Sequence, residues 1–439
     1  MIKNLDIYSL IMPIYYLSKM FGLSAMSVRA KQHKGRRLYT SLFSVLYTMF
    51  LILVIVAANI IVIINYERLP NPGERTRGII VLEMLTYCIT AVLGMGVTLI
   101  KHRSMLNILL FKISIFDELL ILKNTNMIKI NRIFICIQII VLISVFLCFD
   151  LADFILIILD KGTSLTWQLC LICGYIATFI NAIIITQFVD FVKLLKQKIH
   201  ILNNSIKLNM IPAENINEDI LFKEINFYDL ENLKTQGTYV ENFEEIFKGW
   251  CNSYMSKSFN NALKICRNND RMIRIQALRI LQDILFDICD LINSIYGFQM
   301  LIFTVGNFIS ITSALSYGII SLLPEDHLNK KVHLFAKFPF LWAFLYFTMQ
   351  LCPMASCSTA SNESHQTAIL IQKLLMIPEV DRRVVAELQL FSQQLNTRQI
   401  EFTAMGFFGI NYRNLGAIVG ACLTILIMLL QFQNVNNLF

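Results

Sequence analysis

The sequence predicts an all-α membrane protein with seven transmembrane helices, and three observations carry that prediction. Hydrophobic residues make up 56% of the 439 and charged residues 15%, with a mean hydropathy of +0.59; a soluble domain carries about 25% charged residues. Apolar stretches long enough to cross a bilayer, about 20 residues each, recur at 39–65, 78–100, 133–159, 165–190, 295–323, 334–356 and 413–433. Lys and Arg crowd alternate connections between them. Thirty-two Phe against seventeen Gly and eight Pro exclude a disordered or low-complexity chain.

Residues 1–38 form an N-terminal cytosolic segment. Within it 8–24 is apolar, but Pro13 and Lys19 interrupt it and Arg29, Lys31, Lys34, Arg36 and Arg37 follow. It is expected to be an uncleaved, membrane-associated helix rather than a signal peptide. Residues 39–190 hold helices one to four, the side of the ligand pocket. The 191–270 stretch reads as a cytosolic loop, partly disordered over 202–252, where Asn, Glu and Lys abound without periodicity. In 271–356, helices five and six follow a cytosolic extension in which Ile275, Leu278, Leu281, Leu285 and Ile288 recur every three or four residues. The 357–408 stretch predicts cytosolic amphipathic helices, broken near Pro378, with Leu370, Leu374, Val384, Leu388 and Phe391 apolar. Such a stripe packs within one subunit or anchors it to the next. Residues 409–439 are the last helix and a short tail.

Orientation follows from the basic residues, which concentrate on the cytosolic side of short connections. Segments 1–38, 101–132 and 357–401 contain seventeen Lys and Arg, against six in 66–77, 160–164 and 324–333. The N-terminus is therefore expected in the cytosol and the C-terminus outside. The glycosylation sequons at Asn203 and Asn362 fall on the cytosolic side, where none is needed.

Several function classes are disfavoured. Six scattered His, no two within five positions, give no metal box, so neither an enzyme nor a bound metal or cofactor is expected. Cys170-Leu-Ile-Cys173 lies in an apolar helix without a second pair. The net charge of +8 labels the cytosolic membrane edge rather than a nucleic-acid surface. A secondary transporter predicts internal repeats, and none is found. A G-protein-coupled receptor keeps its N-terminus outside.

The seventh helix differs from the others. Gly416, Gly420, Thr424 and Gln431 fall nearly on one line. A stripe of this kind packs against another helix or faces water, and Gln431 needs its amide satisfied. A water-filled pore lined by Thr424, Met428 and Gln431 would satisfy it.

The helix runs Thr424-Ile425-Leu426-Ile427-Met428-Leu429-Leu430-Gln431-Phe432. This resembles the terminal signature of insect gustatory receptors, which is Thr, Tyr, five apolar residues, Gln and Phe; Ile425 stands where the family has Tyr. Chain length, the inverted seven-helix topology and Glu363-Ser364-His365-Gln366-Thr367 after the sixth span are also similar to that family. The resemblance implies a tastant-gated, non-selective cation channel of the plasma membrane passing Na, K and Ca. It implies a homotetramer, or an assembly with co-receptor subunits, whose last helices line a central pore with Gln431 and Phe432 at the extracellular gate.

Charged groups within a span are costly, about 2.5–3.5 kcal/mol on insertion scales, and point to function. Glu83, Asp150, Asp153 and Lys337 fall in outer halves of their spans, together with Trp167, Asn307, Tyr317, Trp342 and Tyr346. The plain alternative is that the acids pair with Lys337 or sit among headgroups. Taken together, aromatics with a few polar groups suit a small-molecule pocket. Carboxylates and Trp suit a sugar, fructose in particular, or a cationic alkaloid through cation–π contact; the departure at Ile425 favours a bitter or other plant compound.

Overall fold

The structure is a computed structural model that describes residues 7–24, 26–31, 35–64, 74–119, 125–159, 165–208, 271–322, 338–377 and 381–436. Its elements in chain order are α1 (Ile7–Met20), β1 (Met26–Lys31), β2 (Gly35–Thr40), α2 (Leu42–Ile64), α3 (Glu74–Leu119), α4 (Thr125–Leu159), α5 (Leu165–Leu208), α6 (Arg271–Leu322), α7 (Phe338–Leu375), α8 (Arg382–Thr397), β3 (Thr403–Ala404), β4 (Phe408–Gly409) and α9 (Tyr412–Asn436). Among the described residues, six helices are long and apolar enough to cross a membrane, and α9 supplies a shorter apolar run over Tyr412–Met428. Among the described residues, strands are confined to two small antiparallel hairpins, β1–β2 and β3–β4.

Four helices far exceed a bilayer. At 1.5 Å per residue, α6 with its 52 residues is about 78 Å long, against about 30 Å of hydrocarbon. The excess gathers at the end of the bundle where α8 packs, called here the α8 end. Two expected loops contribute to it. Residues 101–119 continue α3 and 191–208 continue α5, because apolar stripes persist after the charges begin. Leu109, Leu110, Ile113 and Phe116 are buried on α3, as are Val192, Leu195, Ile199, Leu202 and Ile206 on α5. The rest of the expected 202–252 disordered stretch lies outside the described residues.

The core is formed by α3, α5, α6 and α7, with α2 laid on α3 and α5. At the α8 end, charged pairs staple helices across the apolar seams. Lys198 of α5 bonds Asp117 of α3, Lys112 of α3 bonds Asp287 of α6, and Arg279 of α6 meets Glu387 of α8 at 2.6 Å. Burial pushes the Asp117 carboxyl up, although the Lys198 charge and hydrogen bond pull it down. Glu363 of α7 behaves in the opposite way. Partial desolvation raises it, but hydrogen bonds from Asn203 and His200, with the charges of His200 and Lys196, leave its carboxyl below the usual value.

The first helix, expected against the membrane, docks onto the bundle. Leu10, Ile14, Tyr15 and Ser18 are buried, α1 packs mainly on α4, and Gln187 of α5 donates to the Ser18 hydroxyl. Its end is tied to α2, where the Tyr47 hydroxyl donates to the Met20 carbonyl at 2.8 Å and Thr48 to that of Gly22 at 2.8 Å.

The amphipathic 357–408 stretch divides in three. Residues up to Leu375 continue α7, the next helix is α8, and a short hairpin ends it. Asp381 caps α8, accepting from the Arg383 N–H, and Val384, Leu388, Phe391 and Leu395 bury one stripe against α6 and α7.

Candidate functional site

Two regions carry unusual chemistry. The first lies among α3 to α7 toward the end away from α8. Asn307 of α6 is 1% exposed and uses its whole amide. Its Nδ2 donates to the Tyr346 carbonyl at 2.8 Å and to Gln350 Oε1 at 3.2 Å, while Oδ1 accepts from the Tyr87 hydroxyl at 3.3 Å. Gln350 in turn donates to Thr304 Oγ1 at 3.4 Å. Three helices are thus tied at one level. Polar groups this deep need such closure, since an unsatisfied one costs several kcal/mol in a lipid setting.

Aromatic rings surround this network. Tyr87 and Tyr346 lie 4.9 Å apart, Trp342 and Tyr346 5.5 Å, and Phe149 meets Trp342 edge-on at 5.6 Å. Tyr175 stacks parallel to Trp342 at 6.4 Å. Four helices, α3, α4, α5 and α7, therefore contribute rings to a single aromatic cluster, and α6 adds the amide of Asn307.

Of the residues expected to bind a ligand, Asn307, Trp342 and Tyr346 come together here. Glu83 stands one turn before Tyr87, close enough for its charge to act on that phenol. Asp150 follows Phe149 on α4 and is half-buried, as is Tyr317 on α6. The side chains of Asp153 and Trp167 and all of Lys337 lie outside the described residues. Tyr87, Phe149, Tyr175 and Gln350 complete the cluster; nothing in the sequence alone singles out Phe149 or Gln350. Tyr87 was detectable as the residue one helical turn from Glu83.

The second region is α9, which packs on α6 and α7. It buries Cys422 and Leu426, with Leu415 and Ile418 packed on the core, and Thr312 donates to Cys422 Sγ at 3.6 Å. Thr424 is two residues from both Cys422 and Leu426, hence about 160° round the helix from either. Thr424, Met428 and Gln431 are exposed, and the Thr424 hydroxyl is satisfied by the Gly420 carbonyl at 2.9 Å. A Cβ added at Gly416 or Gly420 would meet nothing within 4 Å. Among the described residues, the polar stripe faces away from the bundle and its small residues pack on no other helix. The Phe432 side chain lies outside the described residues.

Seven apolar helices with polar groups buried between them define a multi-pass α-helical membrane protein. The sequence matches the 7tm chemosensory receptor family over residues 11–436, and the chain belongs to that family, which comprises receptors rather than enzymes. The insect olfactory receptor OR5 from Machilis hrabei in complex with eugenol has a similar structure, with a TM-score of 0.58 at 10% identity over 97% of this chain and 98% of that one. A second structure of the same receptor gives a TM-score of 0.58 at 9% identity, with the same coverage. At that identity the likeness is one of fold. No curated protein is close enough in sequence to match.

Proposed function

We propose that the protein is a gustatory receptor acting as a tastant-gated, non-selective cation channel of the plasma membrane. Four subunits, identical or joined by co-receptor subunits, surround a pore lined by α9, with Thr424, Met428 and Gln431 toward the ion path and Phe432 beside the gate. The N-terminus and α8 are cytosolic, the C-terminus extracellular, and 357–408 anchors neighbouring subunits. The observation that carries this reading is the α9 stripe, polar and glycine-rich and turned away from its own bundle. A polar stripe facing lipid would leave Gln431 unsatisfied; facing a shared axis, it meets water and its symmetry mates.

The ligand enters from outside near the Trp342 cluster. The polar groups there are largely spent on one another, as with Asn307, Tyr87 and Gln350, so what remains for a ligand is mainly ring surface. That favours an aromatic or bitter plant compound over a sugar. The eugenol bound by the Machilis hrabei receptor is a compound of the first kind. The carboxylates of Glu83 and Asp150 would suit a cationic nitrogen through ion pairing. Whole-cell recording of the full chain in cells without endogenous receptors tests both points. Cation current evoked by quinine, caffeine or eugenol is expected; response to fructose alone would reverse the ligand class, and tracer uptake without current would point to a transporter.

A further inference from the structure

Between α8 and α9 runs a linker of backbone, residues 398–411, that α6 and α7 hold at several points. Asn293 of α6 grips it twice: Nδ2 donates to the Glu401 carbonyl at 2.8 Å, and Oδ1 accepts from the Thr403 N–H at 3.2 Å. One turn on, Gly297 lets the β3 backbone lie directly on α6, since a Cβ there would stand 3.2 Å from Met405 N and 3.3 Å from the Thr403 carbonyl oxygen. From α7, Ser361 donates to the Ile400 carbonyl at 2.9 Å. Ser358 accepts the Tyr412 N–H at 3.2 Å, satisfying one of the orphan donors at the start of α9. The turn itself is constrained, with Met405 and Gly406 both at positive φ, 53° and 77°.

Along the span, by contrast, α9 touches its own subunit mainly through apolar side chains, with a weak polar contact from Thr312 to Cys422 Sγ at 3.6 Å. Apolar contacts slide easily, whereas bonds to backbone fix position. The same two helices, α6 and α7, carry Asn307, Tyr346 and Trp342. A shift of α6 against α7 at that cluster therefore reaches α9 first at its foot.

We propose that Asn293 is a positioning residue that couples the α6–α7 pair to the foot of α9, so that ligand-driven movement of α6 and α7 pulls on the pore helix through the 398–411 linker. This rests on the channel reading above. Binding determinants are untouched by Asn293, so its loss lowers efficacy rather than affinity.

The test records currents from the full chain, using whichever of quinine, caffeine, eugenol or fructose opens the wild type most, normalised to surface protein by biotinylation. Asn293→Ala is expected to lower maximal current per surface receptor at least fivefold, with the half-maximal concentration within about threefold of wild type, as two lost hydrogen bonds would produce. Asn293→Asp keeps the acceptor for Thr403 and should recover part of the current. Ser361→Ala, on the other helix, should act in the same direction. Hydrogen exchange on purified receptor should show amides 401–405 of the Asn293→Ala protein exchanging about tenfold faster. Unchanged maximal current, or a tenfold shift in half-maximal concentration with the maximum preserved, would overturn the coupling. Unchanged exchange would overturn the clamp itself. A wild-type receptor passing no current with any compound would overturn the homomeric channel and the coupling proposed for it, leaving exchange to judge the clamp alone.

Discussion

Asn307 separates two ways of reading the aromatic cluster. If its amide is a structural tie, replacing it with Leu removes three contacts, to Tyr87, to the Tyr346 carbonyl and to Gln350. Hydrogen bonds between membrane helices contribute about 0.6 kcal/mol each, giving about 2 kcal/mol for the set. That figure is a lower bound, because Gln350 keeps Thr304 only through Nε2 while its Oε1 loses the Asn307 donor, and a buried acceptor left unmatched adds about 1–3 kcal/mol. Leu fills most of the vacated volume, so no large cavity term is added. The assay is reversible unfolding in mixed micelles titrated with SDS, which reads free energy directly. Asn59, whose amide makes one local bond to the Ile55 carbonyl, is the control; Asn59→Leu should cost under about 1 kcal/mol. A stability for Asn307→Leu equal to that of wild type, with only the ligand response shifted, would refute the tie and make Asn307 a ligand contact.

Other predictions concern the α8 end. Arg398 bonds Asp283, Asp287 and Asp290 at 2.8, 3.1 and 2.7 Å. Desolvation works against its charge, but those carboxylates outweigh it and hold the guanidinium protonated. Arg398→Met leaves three acids on one face of α6, and a loss of about 1 kcal/mol is expected after solvent screening; it should shrink in high salt, as SDS titration at two ionic strengths will show. Glu363 is held low in the folded state, so its stabilising contribution is present above the ordinary carboxylate value and lost as pH falls through the folded one. Melting of wild type should drop more steeply than that of Glu363→Gln below about pH 4.5. Gly297→Ala would set a Cβ against backbone rather than a flexible side chain, and a cost of about 1–3 kcal/mol is expected, read by the same unfolding titration.

The spans were legible because lipid demands long apolar runs, and each of the seven expected segments overlaps one helix of the fold. Their ends were less legible. Lys101, His102 and Arg103 interrupt the apolar run of α3 and read as a boundary, although the helix continues on a stripe from Leu109 to Phe116. Charge ends a hydrophobic run but not an amphipathic helix, and only the partner stripes on α5 and α6 decide between them. Within the cluster, residue type identified Asn307, Trp342 and Tyr346 but not their use. The sequence cannot say that Asn307 spends its amide on a backbone carbonyl of α7, since that depends on how two helices meet 39 residues apart in the chain. Asn293 escaped notice for the same reason: its partners are main-chain atoms, and main chain carries no sequence signal. The α9 stripe was legible because a helix displays its own periodicity without reference to any neighbour.

That stripe is also where the account is most exposed. Single cysteines placed along α9 and challenged with a charged, membrane-impermeant methanethiosulfonate reagent during recording test whether it lines water. Substitutions at Thr424, Met428 and Gln431 should be modified and change the current within seconds to minutes, whereas the native Cys422 and a cysteine at Leu426, both buried against α6 and α7, should not react. Modification at Leu426 with protection at Thr424 and Gln431 would contradict the assignment of α9 as the pore helix.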